Sequence, residues 1–205
     1  NDRAIAYRAH QGFSNCDVAL SVGIQKMVRS DLGASGVMFT LDTESGFRDL
    51  VFITSSIGLG EGVVQGSVDP DEFYVHKSTL KKGNPAILRR TLGKKALKMI
   101  YCQDDNTSGT RIVETTHGER TRFSLRDTQI ERLAHMAILI EEHYQRPMDI
   151  EWGLDGETNE LVVLQARPET VRNRTKEQVL QRYKLQQSGS VIVEGRSIGQ
   201  RIGTG

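Results

Sequence analysis

Apolar and polar positions alternate in a series of short runs along this chain, and elsewhere the period switches to that of a helix. Val18, Leu20, Val22 and Ile24 alternate, and Gln25-Lys26-Met27-Val28 continues them, which predicts a strand over 18–28. Gly36-Val37-Met38-Phe39-Thr40 predicts a second strand after a Gly/Ser turn. Asp42-Thr43-Glu44-Ser45-Gly46 is a turn. Leu50-Val51-Phe52-Ile53-Thr54 is nearly all apolar and so predicts a central strand. A glycine-rich stretch, 58–66, and the turn Asp69-Pro70-Asp71 lead into a fourth strand, Glu72-Phe73-Tyr74-Val75-His76. Between 77 and 110 the pattern is weakest, with a short helix expected from Lys94 to Tyr101. Arg111–Thr116 and Glu119–Leu125 suggest a hairpin turning at His117-Gly118.

Residues 1–12 read as helix, and Thr128 to Tyr144 as a long one. Thr128 and Glu131 have capping-box spacing, and Ile130, Leu133, Ala134, Ala137, Ile138 and Tyr144 form an apolar stripe. Pro147 ends that helix. A charged linker helix is expected near Lys176–Gln186, broken by Ser188-Gly189. Paired strands with helices set between them define an α+β class with a mixed or antiparallel sheet.

The most informative alternation is a hairpin, Asp149-Ile150-Glu151-Trp152 and Leu164-Gln165-Ala166-Arg167-Pro168, around the turn-rich Asp155–Asn159. Period two sets Asp149 and Glu151 on one face, roughly 7 Å apart, and Gln165 and Arg167 likewise. A turn centred near Glu157 would set Asp149 opposite Gln165, with Ile150 and Leu164 on the other face. Two carboxylates, an amide oxygen and a guanidinium on one rigid floor suit Mg²⁺ and a polyphosphate, because Mg²⁺ shares its oxygen shell between carboxylates and phosphates and Arg offers a planar fork. The same alternation also describes a plain half-exposed hairpin with a surface ion pair. Pattern alone leaves both readings open.

Composition narrows the rest. The chain has 205 residues, 37% hydrophobic and 26% charged, enough for a sizeable core. Twenty-seven Lys and Arg against 26 Asp and Glu give a net charge of +1, without the basic excess of a dedicated nucleic-acid binder. No apolar run has the length of a membrane span and no signal-peptide pattern begins the chain, so a cytoplasmic setting is expected. Cys16 and Cys102 lack metal-ligand spacing and read as reduced, part-buried thiols. The five histidines, His10, His76, His117, His135 and His143, form no nucleophile–base or metal constellation. Gly58-Leu59-Gly60-Glu61-Gly62 follows an apolar strand but matches neither the P-loop nor the full dinucleotide fingerprint, so it stays open between a ligand loop and an ordinary turn. The strand Gln25-Lys26-Met27-Val28 stays open between an adenine-binding edge and plain core.

Several segments, in order, resemble the nucleotide-binding domain of the pyruvate, phosphate dikinase family of phosphoenolpyruvate-utilising enzymes. They are Ile24–Val28, Ser35–Thr40, Gly58–Gly66 running into Pro70–Val75, His143-Tyr144, Met148–Gly153 and Leu164–Thr170, covering roughly residues 1–175. The runs 70–75 and 149–153 are similar to the synthase branch more than to the dikinase branch. The resemblance implies an ATP-grasp fold with Mg²⁺ and ATP held between two lobes. It implies Glu151 and Gln165 as ligands of Mg²⁺·ATP, Asp149 and Arg167 as flanking charged contacts, Gln25, Lys26, Met27 and Val28 beside adenine, and Glu61 as a further nucleotide contact. It implies phosphoryl transfer to a histidine on the next domain and then to pyruvate, giving AMP, phosphoenolpyruvate and phosphate, in a parent enzyme that forms a homo-oligomer. Another phosphohistidine-relay enzyme, such as the dikinase or an antibiotic phosphotransferase, is the alternative, and so is a non-catalytic nucleotide-binding or interaction module. On this reading residues 1–172 are the later part of the ATP-grasp domain, 173–190 a linker helix and 191–205 the start of a phosphohistidine domain. The N-terminal lobe and the acceptor histidine would lie outside the sequence, so no catalytic residue is assigned within it.

Overall fold

The computed structural model describes residues 2–12, 22–102 and 109–169. Six strands make one antiparallel sheet: β1 (Ala34–Phe39), β2 (Leu50–Ile57), β3 (Asp71–His76), β4 (Ile87–Thr91), β7 (Met148–Leu154) and β8 (Leu161–Pro168), in the order β4-β3-β2-β1-β7-β8. A separate ribbon pairs β5 (Leu97–Tyr101) with β6 (Thr110–Glu114). Five helices accompany them: α1 (Asp2–Gln11), α2 (Glu61–Val64), α3 (Lys77–Lys81), α4 (His117–Arg120) and α5 (Asp127–Tyr144). This bears out the α+β class with an antiparallel sheet.

The sheet has two unlike faces because each strand alternates. One face takes Met38 from β1, Val51 and Ile53 from β2, Phe73 and Val75 from β3, and Met148, Ile150, Trp152 and Leu154 from β7, all buried. Ile130, Leu133, Ala134, Ala137 and Ile138 of α5 close over that face as one core. Apolar area removed from water on this scale is the main stabilising term of the fold. The expected stripe therefore holds through Ile138, but Tyr144 lies past it and is half exposed. The near-continuous apolar run of β2 marks a strand inside the sheet, as expected. β1 crosses the core against β7, and Gly36 faces Trp152 across that pair. A Cβ at Gly36 would lie 1.9 Å from the Thr54 carbonyl oxygen and 2.9 Å from the Trp152 ring. Gly36→Ala is expected to lower stability by about 1–3 kcal/mol through overpacking, read from urea melts.

Four expectations are corrected. Residues 22–28 form no strand: Val22 and Ile24 point to solvent, and the chain first pairs at Ala34. Alternation had no neighbouring edge to pair with there. Their predicted beginning, 18–21, falls outside the described residues, as do Cys16, the linker helix and the tail. Residues 94–101 hold a strand rather than a helix, because Leu97–Tyr101 pairs with Thr110–Glu114 and the Met99 carbonyl accepts from Leu59 N–H at 2.9 Å. Non-local pairing overrode a Lys- and Ala-rich local preference. β6 takes its partner from β5, so the expected hairpin over 111–125 does not form. Thr116 and Glu119 instead make a reciprocal capping box that starts α4 at His117. The long helix begins one residue early, at Asp127, with the Gln129 amide oxygen accepting from Arg126 N–H at 2.9 Å, so Thr128 is not its cap.

Candidate functional site

The face of the sheet away from α5 carries the chemistry. On β7, Asp149, Glu151 and Gly153 point to it, since Met148, Ile150, Trp152 and Leu154 fill the core. The pairing of β7 with β8 sets Asp149 opposite Arg167 and Glu151 opposite Gln165. Directly opposed residues share a face, with Cβ atoms about 5 Å apart. All four expected residues thus meet on one surface. The register differs from the expected one, in which Asp149 faced Gln165. The pairing of the polar residues centres on Thr158 rather than Glu157, because a bulge falls between Glu151 and Trp152. That bulge leaves Leu164 as the extra residue of β8. Its Cδ1 would lie 3.6 Å from a Cβ on Gly153, and Val28 Cγ1 3.3 Å from it. Leu164 therefore belongs to the polar face, not to the core face with Ile150, a second correction. No pattern in the sequence locates a one-residue bulge.

Within the quartet the four groups are in different states. Arg167 Nε donates to Asp149 Oδ2 at 2.7 Å, and Nη2 lies 2.6 Å from the same oxygen. Asp149 is buried while the Arg167 side chain is 63% exposed. A buried carboxylate thus holds an exposed guanidinium. The hydrogen bond that Arg167 donates to Asp149, with the nearby charges of Asp149 and Glu151, raises the Arg167 pKa above its ordinary value. Glu151 is half-buried and Gln165 exposed, and among the described residues neither side chain has a hydrogen bond or ion pair. Among the described residues no group of three or more His, Cys, Asp and Glu side chains converges on a metal position. The oxygen donors on offer are one carboxylate and one amide, side by side.

Next to the quartet the face continues over β1, where Val37 lies opposite Glu151 and Phe39 opposite Asp149. From Phe39 an aromatic row runs across the sheet: Phe52 at 6.3 Å between ring centroids, then Tyr74 at 4.8 Å, with the Arg89 guanidinium 5.5 Å above the Tyr74 ring. This row was not foreseen. Its members are scattered over four segments, and only the register joins them.

The remaining expected contacts divide. Val28 reaches the face above Gly153, whereas Gln25, Lys26 and Met27 are exposed on an extended, unpaired segment. The chain after them is tied down by Arg29, whose N–H donates to Asp155 Oδ2 at 3.1 Å and whose Nη1 donates to Glu157 Oε1 at 2.7 Å. Glu61 opens α2 at the surface and accepts from Gln65 Nε2 at 2.8 Å. In the glycine-rich loop, Gly58 has φ +91° and a Cβ there would meet the Met99 carbonyl oxygen at 2.6 Å. Its glycine is thus required by backbone packing against the ribbon. The loop is seated beside the site by Ser35, whose Oγ donates to the Gly58 carbonyl at 2.6 Å and which lies opposite Gly153. Cys102 is a half-buried free thiol.

The sheet thus packs one face under α5 and on the other presents the Glu151 and Gln165 oxygens beside the Asp149–Arg167 pair. The family profile described as "Pyruvate phosphate dikinase, AMP/ATP-binding domain" matches residues 1–187, and the chain belongs to that family. It is 60% identical over its whole length to a phosphoenolpyruvate synthase from Pseudomonas aeruginosa and 56% identical to one from Escherichia coli, covering 26% of each. A probable phosphoenolpyruvate synthase from Pyrococcus abyssi is 38% identical over 99% of the chain, which covers 24% of that relative. The chain thus spans about a quarter of the length of the curated relatives it matches. Among the described residues no helix is long and apolar enough to cross a membrane.

Proposed function

We propose that this chain forms the Mg²⁺·ATP floor of a phosphoenolpyruvate synthase. The observation that carries the reading is the direct opposition of Glu151 and Gln165, two oxygen donors without protein partners among the described residues, beside the Asp149–Arg167 pair. That donor set fits Mg²⁺, which takes one or two protein oxygens and completes its shell with phosphate oxygens and water. Glu151 and Gln165 would hold the metal. When bound it neutralises phosphate charge.

The protein's own groups do the positioning. Arg167, held by Asp149, offers its remaining donors to phosphate oxygens as a planar fork. Val28 and Leu164 lay an apolar patch over Gly153 one residue pair along from Glu151, a surface for the base. Gln25, Lys26 and Met27 line the adenine edge once nucleotide is present, and Glu61 contacts the nucleotide from the glycine-rich loop. Catalysis of this kind is mostly alignment and charge neutralisation. A histidine on a following domain then takes phosphate from ATP; pyruvate is the final acceptor of one phosphoryl group and water of the other, so that ATP, pyruvate and water give AMP, phosphoenolpyruvate and phosphate. Residues 173–190 serve as the linker to that domain and 191–205 as its first segment. The parent enzyme is a cytoplasmic homo-oligomer.

Calorimetric titration of the full-length enzyme with ATP tests the floor. Binding is expected to need Mg²⁺ and to weaken about 10- to 100-fold in Arg167→Ala, the size of a lost charge-assisted contact. ATP affinity that is the same in EDTA, or unmoved in Arg167→Ala, would count against it.

A further inference from the structure

A cavity of about 460 Å³ opens away from the nucleotide floor, lined by Phe47, Arg48, Asp49, Lys77 and Glu141. Its volume lies in the range of small-molecule sites. Lys77 is 6% exposed, and its Nζ donates to the Thr40 carbonyl at 2.6 Å and to Glu141 Oε2 at 2.5 Å. An ammonium has three donors, so among the described residues one is left over. Burial pushes the Lys77 pKa down, against the opposing pull of Glu141.

The two acids of the cavity are already engaged. Glu141 holds Lys77. Asp49 accepts from Ser78 N–H at 3.1 Å through Oδ1, and its Oδ2 lies 3.0 Å from His76 Nε2. Arg48 is exposed, and among the described residues its guanidinium has no hydrogen bond or ion pair. The unspent capacity is therefore that of cationic donors: the fork of Arg48 and the third proton of Lys77. Phe47 adds an apolar wall. A doubly charged phosphate would be repelled by the carboxylates of Asp49 and Glu141, whereas a single carboxylate matches the fork at lower cost.

We infer that this cavity binds a small monocarboxylate with a flat apolar body, its carboxylate on Arg48 beside Lys77 and its body against Phe47. The site is independent of the nucleotide floor. Benzoate, benzyl alcohol and inorganic phosphate serve as probes, titrated into the 205-residue chain and followed by the amide resonances of Phe47, Arg48 and Asp49. Benzoate should shift these resonances saturably. Arg48→Gln, a surface change that keeps the fold, should weaken benzoate about tenfold, as expected for one lost charge-assisted contact. Benzyl alcohol should bind at least as weakly as the variant binds benzoate. The inference is overturned if benzoate gives no saturable shift, if Arg48→Gln binds it like the unchanged chain, if the neutral alcohol binds equally, or if phosphate binds more tightly than benzoate.

Discussion

Replacing Glu151 by Gln in the full-length enzyme is expected to leave the fold intact and to lower turnover at least about 100-fold, the usual size of a lost electrostatic stabiliser. The fold should survive because Glu151 lies on the open face, where among the described residues its carboxylate has no bonding partner. The amide is isosteric and keeps one oxygen toward the face. What it loses is a full negative charge opposite Gln165, which cannot replace it. On the proposed reading, a metal held by Glu151 and Gln165 would depend on that charge, and most while phosphate charge is moving. Steady-state rates with pyruvate and a urea melt of the same preparation check the two halves. Near-normal turnover would make Glu151 a solvated surface carboxylate, and a large drop in melting midpoint would make it structural. Asp149→Asn should behave differently. It frees Arg167 without removing a metal ligand, so the Michaelis constant for ATP should rise more than turnover falls.

The hairpin of β7 and β8 was legible because its information is local: two runs with period two, a turn between them, and polar residues at even offsets. The turn centres between Glu157 and Thr158 rather than on Glu157, and with the bulge between Glu151 and Trp152 this moved the partner of Asp149 from Gln165 to Arg167. Helix α5 was legible for the same reason, with five stripe residues buried as expected. The capping box of Thr116 and Glu119 was written in the sequence as well, but the hairpin reading of 111–125 claimed those residues first. What could not be read was non-local. The pairing of β1 with β7 joins residues more than a hundred positions apart, and it alone sets Val37 and Phe39 against the quartet. The ribbon of β5 and β6 is likewise held by contacts that no periodicity encodes. Residues 22–28 show the opposite failure, a strand-like pattern that pairs with no strand among the described residues.

Removing the Asp71 carboxylate is expected to be among the most destabilising single changes in the chain. Asp71 and Lys95 form an ion pair in which both side chains are fully buried. Asp71 Oδ1 also accepts from Gly93 N–H at 2.9 Å, and Oδ2 accepts from the N–H and the hydroxyl of Ser124, each at 2.7 Å. One carboxylate thus joins the start of β3, the lead-in to β5 and the segment before α5. Asp71→Ala would strand a buried ammonium against the Gly93 carbonyl and leave the Gly93 and Ser124 N–H groups without their acceptor, while the Ser124 hydroxyl keeps Ser55 Oγ at 2.8 Å. Breaking a buried pair from one side costs about 3–5 kcal/mol, because the remaining charge is uncompensated. Lys95→Met should cost less, since the Asp71 carboxylate keeps its Gly93 and Ser124 donors. Adding Lys95→Met to Asp71→Ala should recover part of the loss, because no charge is then left buried. Urea melts of the three variants give the order, and hydrogen exchange gives the place. Leu59 N–H donates to Met99 in β5, so loosening the ribbon should speed exchange at Leu59 as well as along β5. Asp71→Ala within 1 kcal/mol of the unchanged chain, or exchange raised evenly across the sheet, would mean that this pair does not hold the ribbon and the glycine-rich loop in place beside the Asp149–Arg167 and Glu151–Gln165 pairs.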